Sequence, residues 1–139
     1  WPENLRISSM MAPTILLDEY HRPEFVLGAG GSYRIRTAIL QVLSNLVDFN
    51  MPIESAVNSP RVHWENGTFG LEPGLTDLHP DAEAAAQRFP FDGTVEQWEA
   101  PNMFFGGVHA VVKSVDNNGK AVFDGAGDRR RGGTVSIVD

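Results

Sequence analysis

A short apolar run, Phe25-Val26-Leu27, leads into Gly28-Ala29-Gly30-Gly31-Ser32, and the residues after it switch to helical periodicity. A strand that enters a glycine-rich turn at the start of a helix leaves backbone N–H groups unpaired at the positive end of the helix dipole. Such a turn holds an anion, or the oxyanion that develops on a carbonyl under attack. Glycine suits the role because a side chain would block close approach. The plainer reading, in which Gly28, Gly30 and Gly31 only permit a tight strand-to-helix turn, stays open at this level.

Other chemistries for the same turn fail on spacing. A dinucleotide fingerprint, G-x-G-x-x-G, fits Gly28 and Gly30 but meets Tyr33 where its third glycine belongs, and Asp48 falls at the helix end instead of closing a second strand. No Gly-Lys-Ser/Thr follows to make a P-loop. Ser32 lies between Gly30 and Arg34, so it is not the serine of a G-x-S-x-G elbow. His21, His63, His79 and His109 are scattered, without H-E-x-x-H spacing or a cysteine, and no metal site is expected.

His63 reads as a packed or hydrogen-bonded residue and His109 as a strand residue. Arg129-Arg130-Arg131 reads as the anchor of a glycine-rich turn, or as solvated charge. Arg34 and Arg36 stand in the first helical turn, where the dipole disfavours positive charge. They must pair with carboxylates or help hold an anionic substrate. Trp98 and Phe104-Phe105 read as core or subunit interface, and the sequon Asn66-Gly67-Thr68 is assigned no role.

The elements that must position these residues follow from periodicity. Thr14–Leu17 and Phe25–Leu27 read as two paired strands, buried on both faces and joined by a polar loop with Pro23. Ile35, Ala38, Ile39, Val42, Leu43, Leu46 and Val47 recur at helical spacing, with Ser32 as N-cap and Asn50-Met51-Pro52 as the stop. Pro52 opens a short second helix that ends before Pro60. Val62, Trp64, Phe69 and Leu71 suggest two short strands. Pro80–Arg88 is a helix closed by Pro90. Val108–Val115 and Lys120–Phe123 flank the hairpin turn Asp116-Asn117-Asn118-Gly119, and Thr134–Val138 makes a last strand. Strands in hairpins with helices grouped between them predict an α+β fold, antiparallel sheet with helices packed on it.

With 139 residues and 42% hydrophobic content, the chain has the size and apolar content of one domain. A net charge of -7, from 18 acidic against 11 basic residues, argues against nucleic acid and anionic membrane surfaces as partners. The absence of cysteine removes disulfides and thiolate chemistry. No run approaches the about 20 apolar residues of a membrane helix, and the chain reads as soluble. Trp1-Pro2 is an unusual start, and the expectation is that residues 1–139 form a single, incomplete domain that begins mid-protein.

Five blocks in order carry a resemblance. Ser8-Ser9-Met10 with Ala12-Pro13-Thr14, then Gly28 to Ile35, then Leu40-Gln41-Val42-Leu43 with Asp48-Phe49, resemble successive blocks of the γ-glutamyltranspeptidases. Ala56-Val57 with Pro60-Arg61 and His63 is similar to the family's Ala-Val-x-x-Pro-Arg-x-His stretch. Phe105-Gly106-Gly107-Val108-His109-Ala110 and Gly127-Asp128-Arg129-Arg130-Arg131-Gly132-Gly133 resemble its final hairpin.

The resemblance implies part of the four-layer αββα sandwich of the N-terminal-nucleophile hydrolases, from the C-terminal portion of a small subunit. It makes Gly30 and Gly31 the oxyanion hole, Ser8 and Ser9 the holders of the substrate α-carboxylate, and Arg34 the family arginine. The nucleophilic threonine would precede Trp1, since Thr14 and Thr37 sit inside a strand and a helix. The expected partners are the rest of the small subunit, the large subunit and a γ-glutamyl substrate such as glutathione, with no cofactor implied. Family resemblance implies a periplasmic or extracellular setting, and the sequence leaves a cytoplasmic one open. The competing reading is a noncatalytic, anion-binding or degenerate family module.

Overall fold

The computed structural model describes residues 2–88 and 93–137. Its elements run β1 (Thr14–Leu17), β2 (Pro23–Gly30), α1 (Arg34–Val47), α2 (Ile53–Asn58), β3 (Val62–Glu65), β4 (Thr68–Leu71), α3 (Leu75–Leu78), α4 (Ala82–Arg88), β5 (Thr94–Gln97), β6 (Gly107–Val115) and β7 (Ala121–Ala126). One-turn 3₁₀ helices follow at Met103–Phe105 and Arg129–Arg131.

Strands β1-β2-β6-β7 form an antiparallel sheet in that order, and β3-β4-β5 form a smaller one. The long helix α1 lies on one face of the larger sheet. Its helical-period residues Ile35, Ala38, Ile39, Val42 and Leu46 meet Leu27, Val108, Ala110 and Ala126 from the sheet and Ile53, Ala56 and Val57 from α2. Burial of this apolar stripe, more than helix propensity, holds α1 in place. Turn chemistry fixes the hairpins: Asn66 and Gly67 both take positive φ between β3 and β4. Asp116 Oδ1 accepts from the N–H groups of Asn118 and Lys120 before Gly119, at φ +79, closes the second turn.

The structure departs from expectation in four places. The runs in β1 and β2 are covered on one face only. On the other face Ile15, Leu17, Val26, Val111 and Phe123 are between 47% and 60% exposed. Ser32 is not the N-cap: α1 begins at Arg34 after Tyr33, which makes no side-chain cap bond, because Ser32 itself is turned into the left-handed region. Residues 134–137 form no strand, and residue 138 lies outside the described residues. Val135 of that segment lies beside β7: a β-carbon on Gly125 would lie 3.6 Å from Val135 Cγ2. Finally α3 and β5 carry no strong periodicity and were not expected; β5 pairs in parallel with β4. Pro90, the expected stop of α4, falls outside the described residues. Among the described residues no helix is long and apolar enough to cross a membrane.

Candidate active site

The glycine turn sits where β2 ends and α1 begins. Gly30 is the last residue of β2, opposite Gly107 of β6. Gly31 then takes φ +137 and Ser32 φ +56. The carbonyls of Gly31 and Ser32 accept from the N–H groups of Arg34 and Ile35, both at 3.1 Å, so they belong to the first helical turn. Among the described residues their own N–H groups donate to no protein acceptor. Two adjacent, unpaired amides at a helix start are the arrangement an oxyanion requires.

The turn borders a cavity of about 570 Å³, lined by Gly31 and Ser32 together with Arg34, Trp98, Asn102, Met103, Phe104 and Arg131. Gly30 is not among the lining residues. A serine in the left-handed region costs roughly 1–2 kcal/mol. Ser32→Gly is therefore expected to stabilise the chain by roughly 1 kcal/mol, less the added freedom of glycine in the unfolded state. Urea unfolding checks this, and an unchanged or lower midpoint would show that the serine side chain compensates for its backbone.

Gly106 forms the floor beneath the turn. A β-carbon on Gly31 would meet Gly106 Cα at 2.8 Å, and one on Gly106 would meet the Gly30 carbonyl oxygen at 3.1 Å. Gly106 takes φ +77. Two backbones this close require glycine on both sides.

Arg34 reaches Glu65 of β3 at 2.7 Å and lies over the Phe104 ring, 4.1 Å from its centroid. The helix-dipole conflict of this cation is thus resolved by a carboxylate. Phe104 stacks on Trp98 with centroids 5.0 Å apart. Arg34, Trp98 and Phe104 also line a neighbouring space of about 330 Å³ that reaches His63, Glu65, Thr68 and Glu96. His63 is buried, its Nδ1 2.8 Å from Thr37 Oγ1 and its Nε2 3.7 Å from Glu65. Burial lowers its pKa against the pull of Glu65, with Arg34 and Arg36 adding to the lowering. Burial thus favours the neutral ring, and the packed, hydrogen-bonded reading of this residue stands.

Four buried charges brace the turn from behind. Arg61 Nη2 meets Asp128 Oδ2 at 2.7 Å, with side chains 2% and 0% exposed. Arg130 bonds Glu72 through Nε and Nη2 and Asp128 through Nη1. Arg61 also donates to the carbonyls of Val57, Phe105 and Gly106, and Asp128 accepts from the N–H groups of Val108 and Arg130. The cluster so ties the segment 105–108, the partner of the glycine turn, to α2 and to the 3₁₀ turn Arg129–Arg131. Arg130 is the turn anchor expected of the arginine run. Glu72 gave no signal in sequence and Asp128 only its place in a family block, since buried carboxylates look like any others until their arginines are placed.

Ser8 and Ser9 stand apart from this constellation. Both are exposed in the extended segment before β1, Ser9 Oγ accepts from the Met11 N–H at 3.3 Å, and neither lines the cavity. Among the described residues no cluster of three or more His, Cys, Asp or Glu side chains is arranged to hold a metal ion.

Comparison with known proteins agrees with the geometry. The γ-glutamyltranspeptidase family model matches residues 2–138. The Acylase ACY 1 proenzyme of Pseudomonas sp. strain SE83 is 40% identical over 81 residues, covering 58% of this chain and 14% of that protein. The glutathione hydrolase proenzyme of Pseudomonas aeruginosa is 43% identical over 60 residues, 43% of this chain and 11% of that one. The chain therefore spans only a small part of the length of these relatives. The structure of the Helicobacter pylori γ-glutamyltranspeptidase T380A mutant superposes with a TM-score of 0.74 at 30% identity, over 94% of this chain and 66% of that chain. Such structures are αββα sandwiches of the N-terminal-nucleophile hydrolase type, and the α+β layers described above are part of one. A match that runs through every block from the serine pair to the arginine turn, with the same fold beneath it, makes this chain a member of the γ-glutamyltranspeptidase family.

Proposed function

We propose that the chain supplies the oxyanion site of a γ-glutamyl hydrolase or transferase, with the amides of Gly31 and Ser32 as its two donors. The observation that carries this is the pair of unpaired N–H groups on two residues that line the cavity, in a turn braced by Gly106. The sequence pointed to Gly30 and Gly31. Gly30 ends the strand outside the cavity, which favours moving the pair one residue on.

In this reading a threonine hydroxyl from the rest of the polypeptide attacks the γ-carbonyl, its own α-amino group taking the proton. The carbonyl oxygen becomes the oxyanion, held by Gly31 and Ser32. The C–N bond then breaks, the amine leaves with a proton, and water or an amino acid releases the γ-glutamyl group from the ester. Ser8 and Ser9 are proposed, on family resemblance, to hold the α-carboxylate, and Arg34 frames the cavity while paired with Glu65.

The open face of the larger sheet supports the same proposal. Ile15, Leu17, Val26, Val111 and Phe123 make an apolar sheet surface of the kind that is normally covered. We assign it to the second sheet of the sandwich, contributed by the remaining small-subunit segment and the large subunit, and take residues 1–139 as an incomplete domain. The relatives named above are proenzymes, which accords with a site assembled from more than this chain.

Turnover of a γ-glutamyl anilide tests the assignment. The full-length polypeptide that carries this chain is expected to release the aniline, and the 139-residue chain alone to release none. Release by the isolated chain would place the nucleophile within it and overturn the proposal. A silent full-length protein would favour the noncatalytic, anion-binding module.

A further inference from the structure

We propose that Arg131 binds a carboxylate of the substrate beside the reacting carbonyl, an inference that rests on the acyl-transfer reading above. The three arginines of the run have different fates. Arg129 reaches Glu54 at 2.6 Å on the surface, and Arg130 is buried against Glu72 and Asp128. Among the described residues Arg131 has neither an ion-pair partner nor a hydrogen-bonded acceptor for its side chain. It is also the one of the three that lines the cavity.

Its placement is built into the sheet. Gly30 and Gly107 face each other across β2 and β6, and the Arg131 stem lies over both. A β-carbon on Gly107 would meet Arg131 Cδ at 2.6 Å and Cγ at 2.7 Å, and one on Gly30 would lie 3.6 Å from Cζ and Nε. A side chain at Gly107 would therefore displace the stem. The two glycines make a bed that carries the guanidinium over the end of β2, next to Gly31 and Ser32.

The electrostatics of the cavity ask for an anion. Among the described residues no carboxylate lines it, in a chain whose net charge is -7. Its other cation, Arg34, is already engaged by Glu65 at 2.7 Å. A guanidinium with its planar fork unoccupied is suited to a carboxylate, and a γ-glutamyl amide offers one on its glutamyl part. A peptide leaving group or acceptor offers a second. The stacked Trp98 and Phe104 rings give the same space an apolar wall for the carbon skeleton.

The test uses the full-length protein with Arg131→Met, which keeps a stem on the glycine bed without the charge, and Arg131→Lys, which keeps the charge. For a γ-glutamyl dipeptide the Met variant is expected to raise KM about tenfold or more with a much smaller change in kcat, and Lys to recover most of the loss. If a γ-glutamyl anilide suffers equally, the carboxylate is that of the glutamyl part. If the anilide is spared, it is that of the leaving group. A Met variant that matches the parent on both substrates, or that loses kcat at unchanged KM, overturns the proposal. Thermal protection by L-glutamate reads the same site without turnover, with the parent protected and the Met variant not. Where the anilide also suffers, protection of both equally, or of neither, overturns it. A parent that is protected by glutamate but shows no turnover would instead sink the acyl-transfer reading and leave the carboxylate site standing.

Discussion

Replacing Asp128 by alanine is expected to destabilise the chain by about 3–5 kcal/mol, the usual effect of stripping one partner from a buried ion pair. Arg61 would keep its hydrogen bonds to the Val57, Phe105 and Gly106 carbonyls but lose the carboxylate at 2.7 Å, in a position where it is 2% exposed. The N–H groups of Val108 and Arg130 would lose their acceptor as well. Urea unfolding measures the cost, and a change below about 1 kcal/mol would show that water or a neighbouring acceptor replaces the carboxylate. A pH series gives an independent check. Burial pushes the Asp128 pKa up, but the Arg61 charge, the two backbone N–H groups and Arg130 outweigh it and hold it below its ordinary value of 3.8. A depressed carboxylate contributes its stability above the unfolded-state pKa and loses it as pH falls through the folded-state value. The parent should therefore weaken below about pH 4, and Asp128→Asn should lack that part of the acid sensitivity.

The same variant should reach the proposed site. Asp128 holds Val108 and Arg61 holds the Gly106 carbonyl, and Gly106 is the surface on which Gly31 rests. The buried cluster thus sets the position of the oxyanion turn through segment 105–108. This is a physical reason for two arginines and two acids to occupy an interior where apolar packing could serve stability as well.

How much of this was legible in sequence depends on the range of the interaction. The α1 stripe, the β1–β2 pairing and the turn at Asp116-Asn117-Asn118-Gly119 are local patterns, read from periodicity and from Asn and Gly at turn positions, whereas Asn66-Gly67, assigned no role from sequence, makes the other turn. The 3.6-residue spacing from Ile35 to Val47 could not have fitted a strand. Strand β5 was missed because Thr94–Gln97 owes its form to a parallel partner, β4, far away in the chain. The expectation of burial on both faces of β1 and β2 came from apolar runs, which record that a face will be covered without saying by which polypeptide. At the site, the family blocks and the glycine turn were visible. Which of three successive amides leaves the ladder depends on where β2 stops pairing with β6, a non-local contact. Glu65, Asp128 and Glu72, which pair with Arg34, Arg61 and Arg130 in turn, stand 31 to 67 positions away from them, and the special place of Arg131 depends on absent β-carbons across two strands.

That register also separates two neighbouring glycines by experiment. Gly31→Ala is expected to lower kcat of the full-length protein by about 10²–10³, the loss typical of removing an oxyanion donor. A methyl group there would lie 2.8 Å from the Gly106 Cα, a backbone atom, and Gly31 holds φ +137, where an alanine is strained. Gly106 cannot readily give way, because its carbonyl is held by Arg61 and its own φ is +77. The turn itself must shift, and both amides move with it. Gly30 is different: its φ is not in the left-handed region, and the atoms nearest a methyl group there belong to the Arg131 side chain, at 3.6 Å. Gly30→Ala should therefore spare most of kcat and leave KM nearly unchanged, since 3.6 Å is an ordinary van der Waals contact that displaces nothing. Steady-state kinetics of the two variants decide the donor pair. Equal losses of kcat would return it to Gly30 and Gly31, whereas a large loss confined to Gly31→Ala fixes it at Gly31 and Ser32.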